Sequence, residues 1–371
     1  MVIDSSNPAH SLAGSATFRQ ALDELDTVVV VDVAMTETAR HADYVLPAAS
    51  QFEKWEATFF TFEFPDNTFQ LRAPLMPPLE GTLPEPEIYA RLVRELGIVS
   101  ERRLALLRRA SRLGLTAHSA VLFTMIGLNR RMLRVAPYLM HETLDRHLPA
   151  DGRAAAALWA LALRVSLRHR KAMRRAGHRN AKTLFRAMLD NRSGTVFTQD
   201  RQKDAWTYTP QKDNRFPLVI EPLLKQLAAL PSANADYTTA EFPFILAAGQ
   251  RRAFTANTIF HDDAWRMRDK EGALQINPED ATEIGLAAGD QARVVTSSGE
   301  AVCSVELSDR LQRGNIALPN GFGLDLTSEA DPAQRVGVAL NTLTDATWRE
   351  PTTGNPWHKH VPARVERLPA T

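Results

Sequence analysis

A single cysteine, Cys303, stands in a chain of 371 residues. That scarcity excludes an internal disulfide, and it excludes any multi-cysteine site, such as an iron–sulfur cluster, supplied by this chain alone. It also fits a reducing compartment, so a cytoplasmic location is expected. Long apolar runs are missing as well. A membrane-spanning helix needs about 20 consecutive apolar residues, whereas the longest candidate, Ala117 to Leu128, is shorter and contains His118 and Ser119. No transmembrane segment is expected. Met1 to His10 has no charged stretch leading into an apolar one, so no signal peptide is read there. Aromatic residues make up only 7%, which leaves few rings for stacking nucleobases.

What is present describes an ordinary globular chain, with 44% hydrophobic and 23% charged residues. Its length accommodates two or three domains. The net charge of +1 conceals an asymmetry. Glu101 to Lys182 holds 18 Lys and Arg against 4 Asp and Glu, and the remainder holds 26 against 39. One strongly basic segment therefore sits between two mildly acidic ones, as an inserted or separately acting element would.

The first hundred residues read as α/β. Apolar positions at helical spacing (Phe18, Ala21, Leu22, Leu25) predict a helix over Thr17 to Leu25. It feeds Thr27 to Val33, a continuous β-branched run of the kind buried on both faces of a parallel sheet. A shorter run, Tyr44 to Leu46, is stopped by Pro47. Alternation of this kind belongs to a doubly wound parallel sheet, whose ligands lie at the carboxyl ends of the strands. That rule points to Asn7 and to Asp32. Residues 101–190 read as an arginine-rich helical insertion, with Ala154 to Val165 its clearest helix. Residues 191–241 read as a linker with one helix candidate, Leu223 to Leu230.

From residue 242 to 371 the texture is β. Strands are expected over Phe244 to Ala248, Ala273 to Ile276, Gln291 to Thr296, Ala301 to Leu307 and Gly314 to Leu318. A short helix starts at Asn277-Pro278 and stops at Gly285. Several short strands around one helix indicate a small closed barrel. The tail, Trp348 to Arg364, reads as a loop.

At this point the residues match a known family. Asn7-Pro8, Val30-Val31-Asp32, Thr36-Glu37-Thr38-Ala39, Ala42 to Pro47 and Glu53 resemble the third domain of the molybdopterin oxidoreductases, the group of formate dehydrogenase, nitrate reductase and dimethyl sulfoxide reductase. Gly249-Gln250-Arg251, Ile276 to Ala281, Gly285-Leu286, Gly289-Asp290, Ser298-Gly299, Leu318 to Gly321, Asn341 to Asp345, Pro356 and Lys359 resemble that family's C-terminal dinucleotide-binding domain. The resemblance implies a six-stranded double-psi barrel following a partial doubly wound sheet, over somewhat more than half the chain. The basic helices show little of the family pattern.

The resemblance further implies a cofactor, molybdopterin guanine dinucleotide carrying molybdenum or tungsten. In the family, Asn7 and Asp32 match contacts to the guanosine arm. Arg251, after the turn at Gly249, would reach a phosphate or the pterin, and Asn341, Thr342 and Lys359 match positions near the pterin. Each position also has a plainer reading. Asp32 is a strand-end turn former, Arg251 with Arg252 a surface pair, Asn341 a loop cap and Lys359 a solvated lysine. Cys303, in an alternating strand, reads as a small buried hydrophobe. His358 and His360 resemble a ligand pair but lack a third partner of defined spacing, so zinc is not expected.

The chain departs from the family where Glu53, Ala57-Thr58 and Thr61 replace a Glu-x-x-Gly-Thr pattern with a following asparagine. The family's iron–sulfur cysteines and metal-ligating residue have no counterpart, so no catalytic residue is assigned. By resemblance the chain starts inside the third domain, as a truncated frame, one product of a split gene or a fragment would. An enzyme of the formate dehydrogenase type is expected, partnered by the missing N-terminal half or by an electron-transfer subunit. The alternative is an accessory subunit or remnant that keeps the scaffold. Nucleic acid is not an expected partner, since the clustered arginines come without a recognisable nucleic-acid motif.

Overall fold

The computed structural model describes residues 1–58, 63–208, 213, 215–232, 237–250, 272–326 and 334–368. The chain divides into two compact units, one made of Met1–Val45 with Pro217–Thr371 and the other of Leu46–Phe216.

The first unit opens with β1 (Val2–Asp4), short helix α1 (Pro8–Ser11), helix α2 (Ser15–Asp23), β2 (Val29–Asp32) and β3 (Tyr44–Pro47), a three-stranded sheet in the order β1-β2-β3. β1 and β2 are parallel, with Val2 opposite Val29 and Asp4 opposite Val31. Val28, Val30 and Val31 are buried, which is why the run carries no polar alternation. Leu22 and Ala9 pack on it from the helical connection.

The same unit contains a closed barrel of β7 (Phe244–Gln250), β8 (Leu274–Ile276), β9 (Gln291–Thr296), β10 (Gly299–Leu307), β11 (Asn315–Pro319) and β14 (Val361–Arg367), in the order β10-β8-β11-β7-β14-β9. This is the double-psi barrel. A separate pair, β12 (Leu324–Leu326) and β13 (Gln334–Val336), is antiparallel. Inward residues alternate along the barrel strands: Ala292 and Val294 on β9, Cys303 and Val305 on β10, Val361, Ala363 and Val365 on β14. Helix α11 (Pro278–Glu283) begins where expected. The Asn277 side chain accepts from the Glu279 N–H at 2.9 Å, and Gly285 follows at φ +72°. Buried Asp280 fixes it to the barrel by accepting from the Gly314 N–H at 2.7 Å and from Arg313 Nε at 3.1 Å. Helix α10 (Glu221–Ala229) contains the apolar run of the linker and buries none of it.

Two expectations change. The tail read as a loop supplies the sixth barrel strand, β14, which pairs with both β7 and β9. Proline in a central strand normally argues against one. Pro362 is tolerated because it lies in the stretch paired with β7, before the β9 pairing begins at Ala363. The first strand also runs past its expected end. Leu318 of β11 faces Ala248 and Pro319 faces Gln250, so Gly249 is bulged out at φ +89°. That backbone conformation suits glycine.

The second unit holds antiparallel β4 (Glu56–Thr58), β5 (Asp66–Arg72) and β6 (Thr195–Gln199), with helices α3 (Glu85–Glu95), α4 (Glu101–Leu113), α5 (Leu115–Leu128), α6 (Ala136–Thr143), α7 (Leu158–Arg168), α8 (Arg170–Arg175) and α9 (Ala181–Asp190). It thus includes residues 46–100 together with the arginine-rich helices. Ala154 to Val165 splits into a 3-10 turn, Arg153–Ala157, and the start of α7. The core is built on Trp159, set edge-on to Phe185 at 5.5 Å, with its indole N–H donating to Ser119 Oγ at 2.8 Å. No helix among the described residues is long and apolar enough to cross a membrane.

Candidate functional site

Asn7 lies just past the carboxyl end of β1. Its Oδ1 accepts from the Thr38 N–H at 3.1 Å and the Thr38 hydroxyl at 2.8 Å, and its Nδ2 donates to Glu37 Oε2 at 2.6 Å. The Thr38 hydroxyl in turn accepts from the Ala9 N–H at 3.0 Å. Glu37 and Thr38 are buried, so the turn after β1 and the turn after β2 are fastened by one polar network. Asp32 ends β2, is 8% exposed, and accepts from the Val33 N–H at 2.7 Å through Oδ1. Beside it Ser5, at φ +51°, donates its N–H to Val31 O. Asn7 and Asp32 therefore share one edge of the parallel pair, where the strand rule put them.

A second group forms on the barrel. The bulge at Gly249 exposes its carbonyl to Lys359 Nζ, which donates to it at 2.7 Å. A Cβ on residue 249 would lie 3.5 Å from that nitrogen and 3.8 Å from Leu340. Leu340, Asn341 and Thr342 form a 3-10 turn. Asn341 is 9% exposed, donates from Nδ2 to the His10 carbonyl at 2.8 Å, and accepts from the Thr344 hydroxyl at 3.2 Å. The Thr342 hydroxyl donates to Ala339 O at 2.7 Å. A Cβ on Gly299 would come within 2.7 Å of Thr342 O, so the hairpin glycine is what lets this turn approach.

The structure thus gathers Gly249, Lys359, Asn341 and Thr342 on one side of the barrel. It joins them to the Asn7 turn through His10. The Gly14 N–H also donates to Thr344 O at 2.9 Å. Arg251 and Arg252 lie outside the described residues. Cys303 is buried, and desolvation pushes its thiol up to about 12. Among the groups near Lys359, His358 is held below the usual imidazole range, first by burial and then by the lysine charge.

Sequence reasoning missed a ring cluster beside Lys359. Tyr237 packs against Trp348 at 5.9 Å and His360 at 5.8 Å, and Trp357 meets His360 edge-on at 5.6 Å. The one signal for it was the pair of tryptophans in an otherwise polar tail, brought together when the Trp357 N–H donates to Trp348 O.

Two family models match. The molybdopterin oxidoreductase model covers residues 3–80, and the molydopterin dinucleotide binding domain model covers residues 244–362, together more than half of the chain. This chain belongs to the molybdopterin oxidoreductase family. Its barrel is the family's dinucleotide-binding domain, and helices α4 to α9 lie between the two matched stretches. The chain is 25% identical over 346 residues to the alpha subunit of the F420-dependent formate dehydrogenase of Methanocaldococcus jannaschii, covering 91% of this chain and 40% of that one. It is 25% identical over 309 residues to the catalytic subunit of the putative dimethyl sulfoxide reductase of Halobacterium salinarum, covering 81% of this chain and 30% of that one. The acetylene hydratase of Pelobacter acetylenicus shares the fold at a TM-score of 0.57 and 15% identity, covering 99% of this chain and 44% of that one. The chain spans less than half the length of each of these three proteins.

Proposed function

We propose that this chain binds a molybdopterin guanine dinucleotide on the face shared by the barrel and the β1-β2 edge. It would serve there in a two-electron oxidoreductase of the formate dehydrogenase type. The observation that carries the reading is the Gly249–Lys359 pair. A bulged strand end offers backbone without a side chain, beside an ammonium group, and a pyrophosphate needs that donor set. Asp32 adds a carboxylate for ribose hydroxyls or the guanine edge. Arg251, two residues past the bulged glycine in sequence, would clamp phosphate, and Thr342 would line the pterin side. Asn7 and Asn341 contribute chiefly by fixing the two turns, since their carboxamides are engaged by Glu37, Thr38, His10 and Thr344.

When bound, the cofactor supplies a molybdenum or tungsten ion that exchanges two electrons with a small substrate. A match over 91% of this chain, to the alpha subunit of a formate dehydrogenase, supports formate as the substrate class. The residues named above bind and orient, and a polypeptide carrying the metal ligand would partner the chain. One observation favours a second reading, a scaffold subunit without its own metal chemistry. The only cysteine is buried in the barrel with its thiol held protonated.

The full chain, expressed in a host that makes the dinucleotide, should release pterin fluorescence on denaturation and contain molybdenum or tungsten by mass spectrometry. Absence of both from well-folded protein would overturn the binding reading. Pterin content without formate oxidation, after pairing with the remaining domains, would overturn the formate assignment alone.

A further inference from the structure

The arginine-rich helices are left unexplained by the barrel site, and one of their faces has an unusual composition. Helix α5 contains no Asp, Glu, Lys or Arg in its 14 residues, and its single histidine, His118, is buried. A helix so apolar would ordinarily be enclosed. Yet Phe123 is 53% exposed and Leu128 is 85% exposed. Helix α4 packs alongside and exposes Leu106 and Leu113, and the 3-10 turn Arg130–Leu133 that follows α5 exposes Leu133.

The same two helices and the turn after them carry Arg102, Arg103, Arg109, Arg112, Arg130 and Arg131, with Arg134 just beyond, all exposed. None of the seven makes an ion pair among the described residues. The one acid on this pair of helices, Glu101, is paired with Arg108 at 3.1 Å. Glu142, the nearest acid on α6, is turned inward and held by Arg94 at 2.9 Å and Arg108 at 3.7 Å. The α4–α5 pair is therefore cationic without local compensation, and bulky apolar side chains are exposed on it.

We infer that the α4–α5 face is a docking surface for an anionic lipid membrane, lying in the interface rather than spanning the bilayer. Charge complementarity requires an anionic partner. The exposed Phe123, Leu128 and Leu133 select among anionic partners. A bilayer's headgroup–acyl boundary accepts apolar side chains flanked by arginines, whereas a phosphodiester backbone gives them nowhere to go. Single-stranded nucleic acid would call for rings to stack on bases, and Phe123 is the only aromatic residue on α4, α5 and the turn after them. Leucine and arginine interleaved on two packed helices thus anchor by shallow insertion and by headgroup attraction together.

The test is sedimentation of the full chain with vesicles of phosphatidylcholine, alone or mixed with phosphatidylglycerol. Binding is expected to the mixed vesicles and to be weak on the neutral ones, and it should fall as salt rises. Arg130→Glu with Arg131→Glu should lower partitioning about tenfold or more, since each basic residue at an anionic surface contributes roughly a factor of five. Phe123→Ser with Leu128→Ser should also lower it, without changing the circular dichroism, because both side chains are exposed. Three results would overturn the inference. They are no binding to mixed vesicles, binding indifferent to the Phe123/Leu128 change, or tight binding to duplex DNA that competes the protein off the vesicles.

Discussion

Asn341 Nδ2 donates to the backbone carbonyl of His10 at 2.8 Å, so a side chain from the 3-10 turn Leu340–Thr342 is tied to the short helix α1 after the first strand, 331 residues away. Neither group is well exposed, and cutting the bond leaves a polar atom without water to replace it. Asn341→Leu should destabilise by about 1–3 kcal/mol, the usual cost of stranding a buried hydrogen-bonding group. The urea midpoint should drop accordingly. An unchanged midpoint would mean the Asn341–His10 bond contributes nothing to stability.

Lys359 meets Gly249 O at 2.7 Å while its stem remains exposed. Lys359→Met should leave the melting temperature within a few degrees, since exposed polar contacts contribute little. It should nonetheless lower the pterin recovered per mole of purified chain. Gly249→Ala should be worse on both counts, because φ +89° strains any residue with a Cβ. Equal pterin content in wild type and both variants would remove these residues from the cofactor site.

His118 is fully buried, and its Nε2 lies 2.8 Å from Thr143 Oγ1. The Thr143 hydroxyl is already donating to Leu139 O, so the imidazole must be the donor through Nε2. Its Nδ1 has no partner among the described residues. Protonation would place an unsatisfied N–H and a charge in the core. Burial, and secondarily repulsion from His147, therefore depress the folded value to about 4 from 6.5. The unfolded chain takes up this proton more readily, so the contribution is present above 6.5 and is lost as pH falls toward 4. Denaturant titrations should show stability of the helical unit falling over that window by on the order of 3 kcal/mol. His118→Gln should flatten the fall.

Cys303 should be silent to a maleimide at pH 8 in the folded protein and react promptly in denaturant. With a thiol pushed up to about 12 against 9.0 in the ordinary state, the folded chain keeps its proton where the unfolded chain loses it. Stability from this group is intact below 9 and declines as pH rises from 9 toward 12. Fast labelling of the native protein would contradict the burial.

Much of this architecture was legible in the residues. The valine run of β2, the Asn277-Pro278 helix start and the Ser298-Gly299 hairpin each follow from local chemistry, and each is where the pattern put it. β14 was illegible because Pro362 contradicts a central strand unless one knows which neighbour pairs at that residue. The site divides the same way. Asn7 and Asp32 were pointed to by the strand-end rule, while the pairing of Lys359 with Gly249 spans 110 residues and depends on a bulge that only the register reveals. The ring cluster at His360 likewise forms across distant segments with no period to betray it.

The barrel closes through β14, whose neighbours are β7, the earliest barrel strand in the sequence, and β9. Until Val361–Arg367 has emerged from the ribosome, β7 and β9 each present an open edge over a half-formed core. Closure is therefore a late, long-range step of the kind that slows folding and invites aggregation in the interval. Nascent chains stalled before Val361 should be protease-sensitive throughout the barrel, although five of its six strands have already been made.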